Sequence, residues 1–223
     1  MYVCESKVVL NFTRGAEEFL KGYTTSDAAA PRGAFLDVRG KVVAVFDRSN
    51  RSADDVLIVI EKNSHEKLLT HLKPFLFLSD VSIIETQLHV YFDTHGAHKP
   101  LPDEVLIPQK KGAMILSSLV YPPDISEGEW TLFRLKNDMP LQGVDFHDEV
   151  LLNIADDDRI SYSKGCYLGQ EIIARIHHRG KPAKKLTAHY QSELSEDRWV
   201  AATSRVLDPD RGEEMGFVWD VVK

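Results

Sequence analysis

The sequence predicts an α+β fold with largely antiparallel sheets. Short β-type runs occur in neighbouring pairs, and single helical segments separate these pairs. Arg39-Gly40 lies between two β-rich runs and is typical of a hairpin. The continuous apolar run from Val56 to Ile60 predicts a strand that is buried on both faces.

The first 92 residues contain six predicted strands and two predicted helices. Ser64 is a candidate N-cap of the second helix, and Pro74 is expected to end that helix because proline cannot continue the hydrogen-bond ladder. The predicted strands lie at 6–12, 34–38, 41–46, 56–60, 81–85 and 88–92, and the predicted helices at 15–22 and 64–74.

The rest of the chain predicts fewer elements. Residues 93–124 are expected to form a loop around one strand at 113–121. Ser126 and Glu129 fit the S-x-x-E capping box, so a helix should begin there and end near Asn137. Residues 181–223 contain short β-type runs. We therefore expect one α+β region over 1–180, with two interleaved subdomains as an option, and a small C-terminal β segment over 181–223.

Composition limits the classes of function. The net charge of −7 argues against nonspecific nucleic-acid binding over the whole surface. The two cysteines are too few for a disulfide framework, which favours a reducing compartment. The N-terminus lacks the pattern of a signal peptide, and no apolar run approaches the ~20 residues of a membrane span. We expect a cytoplasmic protein without a nucleic-acid or membrane partner.

Basic residues are concentrated in one segment. Residues 159–189 contain seven lysines and arginines against one acid, a net charge of +6, so the other residues carry −13. A local basic segment in an acidic chain favours an anionic ligand at one place. A solvated basic face is the alternative.

The stretch from Ile160 to Gly180, ISYSKGCYLGQEIIARIHHRG, combines three glycines with a cysteine. It predicts a strand, a glycine loop, and a helix from about Gln170 to His178 that Gly180 closes. Cys166 would then lie before a helix N-terminus and near Lys164, and both features favour a thiolate. A buried, inert cysteine is the alternative. The adjacent His177 and His178 point in different directions on a helix, so we predict no metal site.

Four segments of the chain resemble one known family. Residues 164–171, KGCYLGQE, resemble the K-G-C-[YF]-x-G-Q-E motif of YgfZ-type folate-binding proteins, which are relatives of the glycine-cleavage T-protein (aminomethyltransferase). FLKGYTTSDAA, AFLDVRGKVVAVF and FRLKNDMPLQG agree with family segments in the same order. The resemblance covers most of residues 8–188. It implies a T-protein-like folate-binding fold whose C-terminal β-barrel domain is shortened here.

The resemblance also implies a ligand, a role and a site. The ligand would be tetrahydrofolate, the role would be iron–sulfur cluster assembly or repair, and the partners would be iron–sulfur client or assembly proteins. Folate needs aromatic walls, for which Tyr167 and Tyr23 are candidates, and cations for its glutamate tail. Cys166 is the candidate functional thiol. The candidate folate-binding residues are Lys164, Gly165, Tyr167, Gly169, Gln170, Glu171, Arg175 and Arg179, with Lys181 as a further cation.

Two departures from the T-protein favour a binding or assembly factor over a conventional catalyst. Ala44 and Val45 occupy the places of its acidic pair, and Lys136 that of a glutamate that contacts the pterin.

Two alternatives stay open. A folate-dependent aminomethyltransferase would need a carboxylate from elsewhere, such as Asp37 or Asp47. A thiol-dependent enzyme would use Cys166 as nucleophile, with His177, His178 or another base within hydrogen-bond reach.

Overall fold

The computed structural model describes residues 1–154 and 157–222 and has the α+β class expected from the sequence. The described strands are β1 (Tyr2–Val3), β2 (Lys7–Thr13), β3 (Arg32–Leu36), β4 (Val42–Ser52), β5 (Asp55–Glu61), β6 (Ser82–Glu85), β7 (His89–Asp93), β8 (Val105–Pro108), β9 (Ala113–Ser117), β10 (Lys184–Tyr190), β11 (Thr203–Asp208) and β12 (Glu213–Val221). The described α-helices are α1 (Ala16–Tyr23), α2 (His65–Leu76), α3 (Glu127–Lys136), α4 (Gln170–Arg179) and α5 (Glu196–Val200).

The strands form three antiparallel sheets. The five-stranded sheet has the order β3-β4-β5-β2-β6, the four-stranded sheet β1-β7-β9-β8, and the three-stranded sheet β10-β12-β11. All the strand pairs described are antiparallel. Short connections suffice for antiparallel neighbours, which agrees with the closely spaced strand signals in the sequence.

Strand β5 connects two hydrophobic cores. Val56, Ile58 and Ile60 belong to the core beneath α1 and α2, whereas Leu57 and Val59 face the core shared with the four-stranded sheet. All five are at most 1% exposed, which confirms the predicted doubly buried strand. Successive strand residues point to opposite faces, so one apolar run supplies both cores.

The C-terminal sheet packs on the body of the molecule. Leu186, Met215 and Phe217 belong to a third core together with Leu36 and Tyr167. A buried polar network adds to this contact, because Arg134 of α3 bonds Asp145 and Ser204, at 3.1 and 3.0 Å. Within the described residues this sheet has three strands, in the open order β10-β12-β11.

Both predicted signals at helix ends after residue 125 are confirmed. Ser126 Oγ accepts a hydrogen bond from Glu129 N, and the Glu129 side chain accepts one from Ser126 N, which completes the capping box of α3. Gly180 adopts φ 94° and closes α4 by donating to the carbonyls of Ile176 and His177.

Several element predictions are wrong. Helix α2 passes Pro74 and ends at Leu76, because Phe75 and Leu76 pack on the first core. Ser64 occupies the N-cap position of this helix, as predicted, but its side chain makes no capping hydrogen bond. The loop expected over 93–124 contains two strands, β8 and β9.

Two further predictions of strand are wrong. No strand directly precedes the glycine loop, since residues 157–159 form a 3-10 turn and 160–169 are irregular. The β-type run that begins at Arg198 starts within helix α5, where Trp199 is buried. Among the described residues, no helix is long and apolar enough to cross a membrane.

Candidate functional site

The glycine loop before α4 presents Cys166 to solvent. Cys166 is exposed, whereas Cys4 is buried, and both thiols are free. The loop is fixed to the last turn of α1, because Leu168 N donates to Gly22 O at 3.0 Å. Lys164 Nζ donates to carbonyls of the turn that directly follows α1. An exposed sulfur on an anchored loop can act as a nucleophile or as a soft metal ligand.

The Lys164 side chain forms hydrogen bonds with backbone carbonyls of the turn after α1. Its ammonium donates to Thr24 O at 2.7 Å and to Ser26 O at 3.0 Å. Partial burial lowers the pKa of Lys164 to about 8. Lys164 and Cys166 nevertheless line one surface pocket, together with Lys21 and Asp27. The influence of Lys164 on a Cys166 thiolate stays a prediction.

The two glycines of the motif differ in their surroundings. Gly169 has φ +83°, and a Cβ there would lie 2.5 Å from Asp37 O and 2.9 Å from Leu36 Cβ. Gly169 therefore brings the start of α4 against the end of β3. A Cβ at Gly165 would have no atom of the described residues within 4 Å, so packing does not require glycine there.

The other candidate folate residues divide into buried and exposed groups. Tyr167 is 8% exposed and belongs to the third core, and Gln170 Oε1 accepts a hydrogen bond from Tyr167 N. Glu171, Arg175 and Arg179 are exposed on α4. Tyr23 packs between Phe19 and Phe75. The ligand contacts expected of these residues stay predictions.

The histidines of α4 are engaged elsewhere. The His177 ring stacks on Tyr162 at 3.9 Å, and His178 meets His177 edge-on at 5.8 Å. No hydrogen bond joins Cys166 to a histidine in the described part of the chain, so the thiol-enzyme alternative has no positioned base. Residues 1–154 and 157–222 also contain no group of three or more His, Cys, Asp or Glu placed to hold a metal ion.

A second candidate site, which the sequence did not predict, is a cleft between the five-stranded and four-stranded sheets. Its enclosed volume is about 80 Å³. β2, β3, β4 and β5 contribute to one side, and β7, β9 and α3 to the other. The residues that line it include Lys7, Arg32, Val45, Asp47, Glu61, Phe92, Gln109, Lys110, Lys111, Met114, Trp130, Arg134, Asp138, Asp158 and Arg159.

Aromatic side chains form one wall of the cleft. Trp130 packs on Phe92 with ring centroids 4.7 Å apart and on Tyr2 at 4.8 Å. Met114 lies in the same hydrophobic cluster. Because Phe92, Met114 and Trp130 are at most 3% exposed and pack in one cluster, they form a closed apolar wall of the cleft.

The opposite wall is charged, and Asp47 lies at its centre. Burial alone would raise the pKa of Asp47, but Arg159, Lys7 and Arg32 outweigh it and hold that pKa below its ordinary value. Arg32 Nε lies 3.5 Å from Asp47 Oδ1, and Gln109 donates to the same oxygen at 3.2 Å. Asp47 is thus an ionised, occupied carboxylate, which makes it a poor proton shuttle.

Cations outnumber acids around the cleft. The lining contains six lysines and arginines and four Asp or Glu. Lys7 and Glu61 form a largely buried ion pair at 2.5 Å, and Arg32 pairs with Asp158. Lys110 and Lys111 are exposed residues of the lining, so they place positive charge where the cleft meets solvent. The cleft therefore favours an anion.

The three positions that depart from the T-protein pattern lie in different parts of the fold. Val45 lines the cleft, whereas Ala44 is fully buried in the first core. Lys136 is not among the residues of the cleft and pairs with Asp208 at 2.8 Å on the C-terminal sheet. Of the carboxylates considered as replacements, Asp47 lines the cleft and Asp37 does not; the Asp37 side chain accepts from Arg39 N and Lys41 N.

Sequence reasoning missed the cleft because its residues are distant along the chain. Lys7 and Glu61 are 54 positions apart, and Gln109 and Asp47 are 62 apart. The available signal was an aspartate directly after the apolar run 42–46 of β4, since a charge that is buried there needs partners.

The sequence of the chain is similar to those of proteins named YgfZ and IBA57 homolog. The chain is 25% identical over 209 residues to a tRNA-modifying protein YgfZ of Colwellia psychrerythraea, covering 76% of this chain and 64% of that protein. It is 22% identical over 194 residues to an iron–sulfur cluster assembly factor IBA57 homolog, mitochondrial, of Dictyostelium discoideum, covering 73% of this chain and 47% of that protein. No protein-family model matches.

A solved structure shows the same fold. Glycine cleavage system aminomethyltransferase T from Bartonella henselae matches with a TM-score of 0.72 at 12% identity, covering 99% of this chain and 77% of that one. The chain therefore has the aminomethyltransferase T fold. It spans a little under two thirds of the length of the Colwellia relative.

Proposed function

We propose that the chain is a folate-binding factor of YgfZ type that acts in iron–sulfur cluster assembly or repair. The observation that carries this proposal is the exposed Cys166 on a loop fixed to the turn after α1. Relatives named YgfZ and IBA57 homolog, together with the aminomethyltransferase T fold, support it. The name tRNA-modifying belongs to the bacterial relatives, and the net charge of −7 does not favour direct binding of tRNA here.

The cleft fits the chemistry of a reduced folate. Phe92, Met114 and Trp130 give the cleft an apolar wall, and the excess of cations offers partners for the glutamate tail. Arg134 is buried, and its Nε–H has no hydrogen-bond partner among the described residues. A buried donor without a partner is costly unless a ligand satisfies it.

The size of the cleft limits how folate would lie. The enclosed volume of about 80 Å³ is below the roughly 300–1,000 Å³ of sites for drug-sized ligands. One end of the ligand would therefore occupy the enclosed part, and the rest would extend into solvent past Lys110 and Lys111. When bound, a reduced folate supplies a carrier of one-carbon units. The residues of the cleft orient it and screen its ring from water.

Cys166 would contact the iron–sulfur cargo. Clusters usually take about four thiolates. The chain has two cysteines, and Cys4 is buried with its pKa raised to about 12 by burial. One chain thus offers one usable thiolate. We infer that a client or assembly protein supplies the remaining ligands and that the cluster is shared with Cys166.

A folate-dependent aminomethyltransferase is the alternative, and the fold favours it. It would need a carboxylate that can position or accept a proton. Val45 lines the cleft without offering one, and Asp47 is paired with Arg32 and Gln109. An aminomethyl-transfer assay with a lipoyl carrier separates the two functions, since the proposed factor gives no turnover.

Complementation tests the proposed role. The full chain is expressed in a bacterial strain deleted for its YgfZ relative, and the activity of an iron–sulfur enzyme is measured together with the amount of expressed chain. We expect wild type and Cys4→Ala to restore activity and Cys166→Ser to fail at equal abundance. Full activity of the Cys166→Ser variant would contradict the proposal.

A further inference from the structure

The turn between β3 and β4, residues 37–41, packs on the start of α4. A Cβ at Gly40 would lie 2.8 Å from Ile172 Cβ, and a Cβ at Gly169 would lie 2.5 Å from Asp37 O. These approaches are too close for a side chain, so the turn and α4 are in direct contact. The two elements therefore form one continuous surface.

Cations project from this surface. Arg39 and Lys41 are exposed on the turn, and Arg175 and Arg179 are exposed on α4. Residues three and four apart lie on the same face of a helix, so the two helical arginines follow Ile172 along the side of α4 that meets the turn. We call the following set the α4 surface: Val38, Arg39, Lys41, Glu171, Arg175 and Arg179.

The three arginines of the α4 surface have no partner in the described part of the chain. Arg39, Arg175 and Arg179 form no side-chain hydrogen bond or ion pair within residues 1–154 and 157–222. Glu171 is the single acid of the set, and it makes no ion pair with Arg175 although it lies one helical turn before it. Guanidinium groups bind carboxylates in a bidentate manner, so this surface is ready to pair with acids of another molecule.

An exposed apolar side chain lies among these cations. Val38 is 71% exposed beside Arg39 in the turn. Protein interfaces are enriched in arginine and combine apolar contacts with a polar rim. A nucleic acid would instead meet the carboxylate of Glu171 and a chain with a net charge of −7. The composition of the α4 surface therefore favours an acidic protein over a nucleic acid.

We propose that the α4 surface binds an acidic face of a partner protein and thereby brings that partner to Cys166. The loop that carries Cys166 leads directly into α4, and the exposed sulfur lies three residues before the N-cap Gly169. A partner whose carboxylates pair with Arg175 and Arg179 reaches Cys166 at the N-terminal end of the same helix. That the partner carries or receives an iron–sulfur cluster rests on the proposed function.

The α4 surface gives the basic segment a role that is separate from the cleft. Arg175 and Arg179 are not among the residues that line the cleft. Reversing their charge should therefore leave the affinity for tetrahydrofolate unchanged and weaken only the contact with the partner. Complementary charges act mainly on the encounter of two proteins, so the contact should also weaken when salt is added.

Photo-crosslinking in cells tests the α4 surface. The full chain carries p-benzoylphenylalanine in place of Val38 and is expressed in the bacterial strain deleted for its YgfZ relative. Arg175→Glu/Arg179→Glu is compared at equal abundance with Lys62→Glu/Lys99→Glu, which reverses the same charge at exposed positions outside the surface. We expect a protein adduct whose crosslinked peptide, identified by mass spectrometry, has a negative net charge. Its yield should fall about 10-fold in the arginine variant and stay unchanged in the lysine variant.

A charge swap completes the test. Replacing the acids of the crosslinked partner peptide by lysine should restore the adduct with Arg175→Glu/Arg179→Glu. The absence of a protein adduct, an adduct that ribonuclease removes, or a yield that the arginine reversal leaves unchanged would overturn the α4 surface.

Failure of the proposed function gives a different result. The adduct then still depends on the arginines, but the partner has no part in iron–sulfur metabolism and Cys166→Ser restores full enzyme activity in the complementation assay. Loss of complementation by Cys166→Ser without any arginine-dependent adduct overturns the α4 surface alone.

Discussion

The Lys164 ammonium lies 2.7 Å from the carbonyl oxygen of Thr24, 140 residues earlier in the chain. The same nitrogen donates to Ser26 O at 3.0 Å. These bonds and the one from Leu168 N to Gly22 O tie the cysteine loop to the last turn of α1 and to the turn that follows it. The position of Cys166 therefore depends on a contact between two distant segments.

The pH dependence of stability should show this contact. Burial lowers the pKa of Lys164 to about 8, from an ordinary value of 10.5. Between these values the unfolded chain binds more protons than the folded one, so the contribution of Lys164 to stability rises as pH rises. We expect the free energy of unfolding of wild type minus Lys164→Met, from urea titrations, to increase from about pH 8 to about pH 10. A flat or falling difference would contradict the buried position of the ammonium.

The two glycines of the motif form a matched pair. Gly169→Ala forces a side chain into a left-handed backbone and against Asp37 O, so we expect a loss of more than about 1 kcal/mol in the free energy of unfolding. Gly165→Ala meets open space and should change that free energy by about 0.5 kcal/mol or less. Urea unfolding of both variants measures the difference. Equal losses would show that the loop is packed differently.

The two cysteines should differ sharply in reactivity. Cys166 is exposed, whereas Cys4 is 4% exposed and burial raises its pKa to about 12. The thiolate is the reactive form, so iodoacetamide should modify Cys166 in the native protein and Cys4 only after unfolding. Peptide mass spectrometry over time gives both rates. Modification of Cys4 at the rate of Cys166 would place Cys4 at the surface.

Two pairs of basic residues are candidates for binding the glutamate tail of the folate. The sequence assigns the tail to Arg175 and Arg179, which lie on α4 outside the cleft, whereas the lining of the cleft includes Lys110 and Lys111. We expect Lys110→Gln/Lys111→Gln to weaken tetrahydrofolate about 10-fold, with a smaller effect of added salt than in wild type. Arg175→Gln/Arg179→Gln removes the same charge and is the control. A loss confined to the arginine variant would move the tail onto α4.

The sequence predicted those parts of the fold that depend on neighbouring residues. The Ser126–Glu129 capping box and the Gly180 helix end are local patterns, and both are confirmed. The prediction that α2 ends at Pro74 is wrong, because the tertiary packing of Phe75 and Leu76 outweighs the backbone hydrogen bond that proline cannot make. Local propensity is a weak guide where a core can override it.

The candidate site likewise has one part that a local motif predicts and one part that residues distant in sequence form. Cys166 and Gly169 lie in one short motif, and the sequence placed them on a loop before a helix. The cleft is assembled from Asp47, Trp130 and other residues of separate sheets, which no local pattern brings together.

Calorimetric titration of tetrahydrofolate into the reduced, full chain tests the proposed folate binding most directly. We expect saturable binding of one ligand per chain, weakened by added salt because exposed lysines line the cleft. A folded chain that shows no saturable binding of tetrahydrofolate would contradict the assignment of the cleft to folate.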